Sequence, residues 1–175
     1  MLQNDFSFPL VRKAMEYGIH CHHTTNHFYD NKPYSAHLKM VYDYGCKYAH
    51  LLAKDEVELA LAGCWVHDTI EDCRQTYNDV KNACGPEVAE IAYALTNEKG
   101  KNRKERANDK YYEGIRQHKL SIYVKLCDRL ANTRYSAENN QGMLAVYGKE
   151  MKHFQSALWE PAFAPMFEEL NQLVS

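Results

Sequence analysis

The chain has 175 residues, of which 45% are hydrophobic and 25% charged, and its formal net charge is -2 with histidine neutral. This length suits one domain, and the composition excludes a disordered, collagen-like or fibrous chain. The near-zero charge argues against a nucleic-acid partner, because dedicated DNA-binding domains are usually basic. The longest apolar run, residues 59–66, is far shorter than the roughly 20 residues that cross a bilayer, so no membrane partner is expected.

The cysteines and the N-terminus bear on the compartment. Six cysteines are scattered singly, without a CxxC pair, and residues 1–8 lack the basic stretch and apolar core of a signal peptide. Both features predict a cytoplasmic protein with reduced, mostly buried thiols. The run His-Cys-His-His at residues 20–23 is a tempting metal tract. Because neighbouring residues fan out around a helix axis, we do not expect these four to bind one ion.

The first half of the chain begins with a helical pattern. Apolar residues recur at helical spacing over residues 10–17. The dipeptide at residues 32–33 is then predicted to be extended, because proline disfavours the α conformation in the residue before it. Ser35 is predicted to cap a second helix, and Asp55 with Glu58 has the spacing of a capping box that opens a third.

The remaining pattern is also helical. Residues 59–66 are apolar on all sides, which predicts a helix buried at the centre of the fold. Thr76 and Asp79 are predicted to start a short helix that Gly85 can stop, and Pro86 suits the start of the next one, to about residue 97. Residues 139–142 are predicted to form a loop. The other predicted helices cover residues 120–137, 143–158 and 165–174. Because no alternating segment lies between hairpin turns, we predict an all-α domain without a sheet.

A cluster of polar residues follows the most apolar segment: His67, Asp68, Glu71 and Asp72. On a helix, residues four apart share a face, so all four would point from one end of one face. Placing them near a buried surface without partners would be costly. A divalent cation would explain the grouping, since imidazole and carboxylate suit Mn, Fe or Zn. A capping and salt-bridging cluster at a helix end is the alternative.

Two further polar positions are weaker signals. Asp128 interrupts an apolar helical stripe, and Asn132 lies one turn beyond it. A carboxylate on such a stripe needs a cation or several hydrogen-bond donors, although pairing with Lys125 or Arg129 would also satisfy it. His37 falls in the first turn of the second predicted helix, where a lone histidine is more often a surface or capping residue.

The combination of these segments resembles the HD-domain metal phosphohydrolases, and most closely the hydrolase domain of the RelA/SpoT family and its small alarmone hydrolases. That family carries P-Y-x-x-H near the N-terminus, H-D-x-x-E-D in a buried helix, and K-L-A-D-R-L-x-N later. Here the segments read P-Y-S-A-H at residues 33–37, H-D-T-I-E-D at residues 67–72 and K-L-C-D-R-L-A-N at residues 125–132. The resemblance implies an all-α HD-domain fold, which we predict to span residues 1–175 as a single domain.

The resemblance also implies roles for individual side chains. One divalent ion, usually Mn²⁺, would be held by four ligands: His37, His67, Asp68 and Asp128. The attacking water would be held, and its proton taken, by two carboxylates: Glu71 and Asp72. A nucleotide substrate would be contacted by five side chains: Tyr34, Arg103, Lys104, Asn132 and Tyr147. The implied reaction is hydrolysis of the 3'-pyrophosphate of (p)ppGpp, or of its adenine counterpart, to the nucleotide and pyrophosphate.

Two stretches bear on the substrate. Residues 98–106 contain five basic residues, a local patch suited to clamping a polyphosphate, although a solvated helix start with ion pairs would look similar. Residues 26–31 depart from the family, which has a basic stretch here whose arginine stacks on guanine. Phe28 or Tyr29 could stack on a base instead, so the sequence leaves guanine and adenine open.

Other functions stay open at this stage. They are a different HD-type nucleotide phosphohydrolase, such as a nucleotidase or phosphodiesterase, and a non-catalytic binding or antitoxin-like module. The complete set of four ligands with both acids argues against the non-catalytic alternative. The acid pair and the basic segment favour the alarmone hydrolase over other phosphohydrolases.

Overall fold

The computed structural model describes residues 8–175, and helices account for most of them. The α-helices, in chain order, are α1 (Pro9–Thr24), α2 (Ser35–Tyr48), α3 (Val57–Val66), α4 (Thr69–Asp72), α5 (Tyr77–Cys84), α6 (Pro86–Leu95), α7 (Arg103–Arg106), α8 (Asp109–Arg116), α9 (Lys119–Asn139), α10 (Gln141–Leu158) and α11 (Ala164–Val174). Two 3₁₀ turns lie at Ala49–Leu51 and Pro161–Phe163. The predicted all-α class is therefore confirmed, while residues 1–7 of the predicted 1–175 domain lie outside the described residues.

Helices α3 and α9 form the centre of the fold. Helix α3 packs against α1, α2, α6 and α9, and residues Ala60 through Val66 are all buried. This agrees with the uniformly apolar sequence of that segment, which leaves no polar face for water. Helix α9 contacts α2, α10 and α11 on its other sides, so it carries Asp128 through the middle of the core.

A glycine allows α1 and α3 to approach closely. A Cβ atom built on Gly18 would lie only 2.1 Å from the backbone carbonyl oxygen of Trp65. No side chain fits at that distance, so the helix contact requires glycine at this position. The contact fixes the C-terminal end of α1 against the end of α3, where His67 and Asp68 follow.

Helix starts agree with the sequence in one case and differ in two. Thr76 and Asp79 form the reciprocal capping box that opens α5. Asp55 and Glu58 do not form the predicted box, because Glu58 Oε1 instead accepts a hydrogen bond from the backbone N–H of Leu10 at 2.9 Å. Ser35 is the first helical residue of α2, and its side chain makes no capping hydrogen bond, so that prediction is also wrong.

Two predictions about non-helical segments were wrong. The loop expected at residues 139–142 is reduced to Asn140, whose side chain accepts the backbone N–H of Met143 and starts α10 immediately. A small sheet is present where none was expected: β1 (Phe28–Tyr29) pairs antiparallel with β2 (Lys32–Pro33). Asp30, at φ 55°, makes the turn between them, and strands of two residues are too short to show a period-two pattern.

Two general expectations can be compared with the structure. Five of the six cysteines are buried and Cys46 is half-buried, as predicted, and no disulfide joins any of them. Within residues 8–175, none of the helices combines the length and the apolar character needed to cross a membrane.

Candidate metal centre

Three separate parts of the fold bring the predicted metal ligands together. His37 lies in the first turn of α2, and Asp128 lies midway along α9. His67 and Asp68 occupy a break between α3 and α4, where the Thr69 hydroxyl donates to the carbonyl oxygen of Val66 at 2.7 Å. The expected stacking of the polar residues required one continuous helix over residues 64–72. The structure instead has a break there.

The four side chains converge through one atom each. His37 Nε2 lies 3.3 Å from Asp128 Oδ1 and 3.8 Å from Asp68 Oδ2. His67 Nε2 lies 2.9 Å from Asp68 Oδ2 and 3.8 Å from Asp128 Oδ1. Ligand atoms around one ion, each about 2.0–2.2 Å from it, are separated by comparable distances. Both imidazoles are only 1% exposed, so the donor set is buried as well as compact.

The orientation of the His67 ring leaves one nitrogen available. Its Nδ1 lies 3.0 Å from the carbonyl oxygen of Cys64, one turn earlier in α3, and must carry the proton to donate there. The Nε2 atom then faces the two carboxylates, and it would have to lose its proton to bind an ion. A backbone carbonyl that fixes the tautomer in this way is typical of histidines that bind metals.

Neighbouring donors hold the two carboxylates. Lys125 Nζ lies 2.9 Å from Asp128 Oδ2, and Asn132 Nδ2 donates to Asp128 Oδ1 at 2.5 Å. The hydroxyl of Tyr34 donates to Asp68 Oδ2. Tyr34 and Asn132, which were predicted as substrate contacts, therefore also position the acidic ligands. Lys125 contacts the outer oxygen of Asp128, whereas Asn132 and Tyr34 bond to the oxygens of Asp128 and Asp68 that face the histidines. Such hydrogen bonds to a carboxylate fix its orientation.

An aromatic ring whose contact with His37 was not predicted lies beside that residue. The ring of Tyr29 stacks on the imidazole, with centroids 4.7 Å apart and planes 12° apart. Its hydroxyl donates to Asn132 Oδ1 at 2.8 Å. The β1–β2 hairpin sets this position, so the unexpected sheet forms one side of the site. Phe28, the other aromatic residue considered for base stacking, is 58% exposed.

The charges of the site are strongly coupled. Burial opposes the charged form of Asp128, but Lys125 and His37 hold the pKa of its carboxyl well below the usual range. Burial alone would lower the pKa of His67, yet the Asp68 and Asp128 carboxylates raise it to about 9. Burial also opposes the charged form of Asp68, but His67 holds the pKa of its carboxyl below the usual range, so both carboxylates are anionic at neutral pH.

The two predicted catalytic acids point in different directions. Glu71 accepts from the side-chain amide of Asn97 at 2.8 Å and from its backbone N–H at 3.2 Å. Asp72 Oδ2 lies 4.0 Å from His27 Nδ1. Partial burial, with Asp68 and Glu71 nearby, raises the pKa of Asp72 to about 7. The pair therefore contains one carboxylate fixed by an amide and one poised to exchange a proton near neutral pH.

A cluster of basic side chains lies near Asp128. Arg103 forms a two-point ion pair with Glu150, at 2.6 and 3.1 Å, and its guanidinium lies over the ring of Tyr147. The Arg129 guanidinium contacts the same carboxylate at 2.8 Å and the same ring. Glu150 carried no sequence signal that we recognised.

These side chains border a small basic cavity. Its volume is about 60 Å³, and its lining includes four basic residues: Arg103, Arg106, Lys125 and Arg129. Lys104, also predicted as a substrate contact, is exposed on α7 and has no hydrogen bond or ion pair within residues 8–175. The basic segment therefore contributes Arg103 to the cavity and leaves Lys104 outside it.

A much larger cavity lies elsewhere. It measures about 710 Å³ and runs between α6 and α8, lined by Tyr93, Asn97, Tyr111 and neighbouring residues. None of the four converging side chains borders it. A divalent ion is bound by donor atoms and not by open space, so the candidate site remains the one around His37 and Asp128.

Comparison with known proteins shows a similarity in fold. No family model matches the sequence, and no curated protein matches it. A solved structure described as "A metazoan ortholog of SpoT hydrolyzes ppGpp and plays a role in starvation responses" covers 94% of this chain and 93% of its own, with a TM-score of 0.73 and 19% sequence identity. The fold predicted from the three motifs is confirmed: the chain has the all-α HD-domain fold of this SpoT ortholog.

Proposed function

We propose that the chain is a metal-dependent hydrolase that removes the 3'-pyrophosphate of an alarmone nucleotide, (p)ppGpp or (p)ppApp. The products would be GDP, GTP or the adenine equivalent, plus pyrophosphate. The observation that carries the proposal is the convergence of His37, His67, Asp68 and Asp128. The chain shares its fold with a protein described as hydrolysing ppGpp.

The donor set fits a divalent ion, and we propose Mn²⁺. Two imidazole nitrogens and two carboxylate oxygens are ligands that Mn²⁺ and related ions accept. The buried Nε2 of His67 faces the two carboxylates, and an ion bound there would replace its proton. When bound, the ion would polarise a phosphoryl oxygen and make the attacking water more acidic.

The chain's own acids would handle the proton. Asp72, with a pKa of about 7, can accept a proton from the attacking water at neutral pH and release it afterwards. Glu71 is held at both oxygens by Asn97, so its role would be to fix the position of that water. The different environments of the two carboxylates support this division of roles.

The basic cavity would take the phosphates. Guanidinium groups match phosphate oxygens in a two-point geometry, and Arg103 already makes such a contact with Glu150. Lys125 borders both the cavity and Asp128, so a phosphate chain in the cavity would end beside the proposed ion. The ring of Tyr147 would hold the guanidinium groups of Arg103 and Arg129 in place.

A product assay tests the proposal. Metal-free protein would be incubated with a panel of guanine and adenine nucleotides bearing a 3'-pyrophosphate, with and without Mn²⁺. We expect pyrophosphate release that depends on the added ion. Release of orthophosphate would indicate a different phosphohydrolase, and inactivity on the whole panel would contradict the proposal. Comparing rates across the panel also shows whether the protein prefers guanine or adenine nucleotides. The proposed cytoplasmic location needs a separate localisation experiment.

A further inference from the structure

A second group of metal-binding side chains lies apart from the four converging residues. It consists of His22, near the end of α1, His27, in the following turn, and Cys73, just after α4. One potential ligand atom from each of the three lies within 4.8 Å of the others. Of the run at residues 20–23, only His22 belongs to this group. Its partners come from positions that were not singled out in the sequence.

Local structure fixes the two imidazoles side by side. The backbone N–H of His27 donates to the carbonyl oxygen of His22 at 3.0 Å, and the two Nδ1 atoms share a hydrogen bond of 2.9 Å that a bound ion could replace. The ring of Tyr34 stacks over both, with centroid separations of 4.2 and 3.9 Å. Asn26, at φ 51°, turns the chain between them. The pair is therefore held in place before any ligand binds.

The third member is also held. Cys73 is buried, and the Thr25 hydroxyl lies 3.8 Å from its Sγ atom, within the range of a weak hydrogen bond. Because Thr25 lies between His22 and His27 in sequence, the same turn presents the imidazoles and orients the thiol. Residues 22–27 and Cys73 thus approach each other at this group.

The group has binding capacity that the described protein atoms do not use. His22 is only 1% exposed, and its Nε2 atom has no hydrogen-bond partner within the described part of the chain. Burial lowers the pKa of both imidazoles, so both are neutral at pH 7, which is the form that binds metals. A buried polar atom without a partner is rare in folded proteins, and a bound ligand is one explanation for it.

We propose that His22, His27 and Cys73 bind a thiophilic divalent ion such as Zn²⁺ at a site separate from the candidate hydrolase centre. Two imidazoles and one thiolate are typical zinc ligands, whereas Mn²⁺ prefers oxygen donors. Binding releases the thiol proton of Cys73 to solvent. Asp72 Oδ2 lies 4.0 Å from His27 Nδ1, so the ion would sit beside one of the proposed catalytic acids.

The test uses Co²⁺ in place of Zn²⁺, because a Co²⁺–thiolate bond gives a charge-transfer absorption that oxygen and nitrogen ligands do not. The metal-free full chain would be titrated with Co²⁺ as wild type and as four variants. Cys73→Ser removes the sulfur, and His27→Gln removes a half-exposed ligand. Cys84→Ser is the matched control at another buried thiol, and Asp128→Ala disables the other site.

We expect the thiolate band to saturate at one ion per chain in the wild type, Cys84→Ser and Asp128→Ala. It should disappear in Cys73→Ser, and His27→Gln should weaken binding by about 10-fold or more, since even the loss of a hydrogen bond to a ligand costs that much. A wild type without the band, or a Cys73→Ser protein that keeps it, would overturn the proposal. If Cys73→Ser fails to fold by circular dichroism, unchanged Co²⁺ affinity in His27→Gln overturns it. The thiolate band is read without any substrate, so this test does not depend on whether the protein hydrolyses an alarmone.

Discussion

The side-chain amide of Asn132 donates to Asp128 Oδ1 at 2.5 Å, and this oxygen is the one that faces His37. The asparagine was predicted to contact the substrate sugar, yet it also fixes a proposed metal ligand. Its amide oxygen is occupied in turn by the hydroxyl of Tyr29 at 2.8 Å. Replacing Asn132 should therefore affect the binding of the metal as well as the binding of the nucleotide.

Replacing Asn132 by alanine should weaken Mn²⁺ binding by about 10–100-fold, because it frees the Asp128 carboxylate to move. Isothermal titration of the metal-free protein measures this directly. Asn139→Ala, at the exposed end of the same helix, is the control and should bind Mn²⁺ like the wild type. If Asn132→Ala changes only KM, the residue serves the substrate alone.

The proposed ligands and acids should separate in a metal-binding assay. Asp68→Ala should abolish retention of Mn²⁺, because it removes an oxygen that lies 2.9 Å from His67 Nε2. Glu71→Ala should retain the ion and lose turnover by about 10²–10⁴-fold, as expected for a group that acts on the water. Metal content after gel filtration and kcat at saturating Mn²⁺ are the two measurements. Equal metal loss in both variants would show that the assignment of roles is wrong.

The environment of Asp72 predicts a pH-dependent gain in stability on substitution. Its folded pKa of about 7 is above the unfolded value of about 3.9, so ionisation costs stability as pH rises from 4 to 7. Asp72→Asn should therefore stabilise the metal-free protein by roughly 1–2 kcal/mol at pH 8, a figure reduced because the side chain is about a third exposed. The gain should shrink toward pH 4.

Urea unfolding of the wild type and Asp72→Asn in the presence of a chelator, at several pH values from 4 to 8, checks this prediction. The gain should grow up to pH 7 and stay constant above it. A difference in the free energy of unfolding that does not change with pH would mean that Asp72 is not responsible.

Two neighbouring basic residues should differ in their effect on substrate binding. Arg103 borders the basic cavity and lies over Tyr147, whereas Lys104 is exposed and outside it. Arg103→Ala should lower kcat/KM by about 10-fold or more, the equivalent of one charge-assisted contact of roughly 1.5–3 kcal/mol. Lys104→Ala should change it less than about threefold, as expected for screened surface charge. Similar losses in both would favour general electrostatic attraction over a defined phosphate contact.

The α1–α3 contact predicts a steric limit at Gly18. Gly18→Ala should destabilise the protein by about 1–3 kcal/mol or more, because its Cβ would meet the backbone oxygen of Trp65 at 2.1 Å. Gly114→Ala in α8 is the matched control: its Cβ meets nothing within 4 Å, so it should gain about 0.5–1 kcal/mol of helix propensity. Thermal unfolding of both variants measures the contrast, and equal effects would contradict the packing argument.

The helices themselves were largely predictable from the sequence because their signals are local. The apolar run at residues 59–66 identified the buried centre of α3, and Thr76 with Asp79 marked the start of α5. Predictions failed where a distant partner competed with a local one. Glu58 bonds to Leu10 instead of capping its own helix, and a two-residue hairpin is too short to leave a pattern.

The three motifs determined which side chains are the candidates for the chemistry, since residue type and spacing are properties of the chain itself. Tertiary structure decided how those side chains are arranged. Because the helix breaks at residues 67–68, Glu71 contacts Asn97 and Asp72 lies near His27. Helical spacing alone does not predict this arrangement. Glu150, Tyr29 and the group of His22, His27 and Cys73 lie beside the site only because distant segments fold against one another. Sequence patterns report contacts within a few residues, whereas these contacts depend on the packing of whole helices.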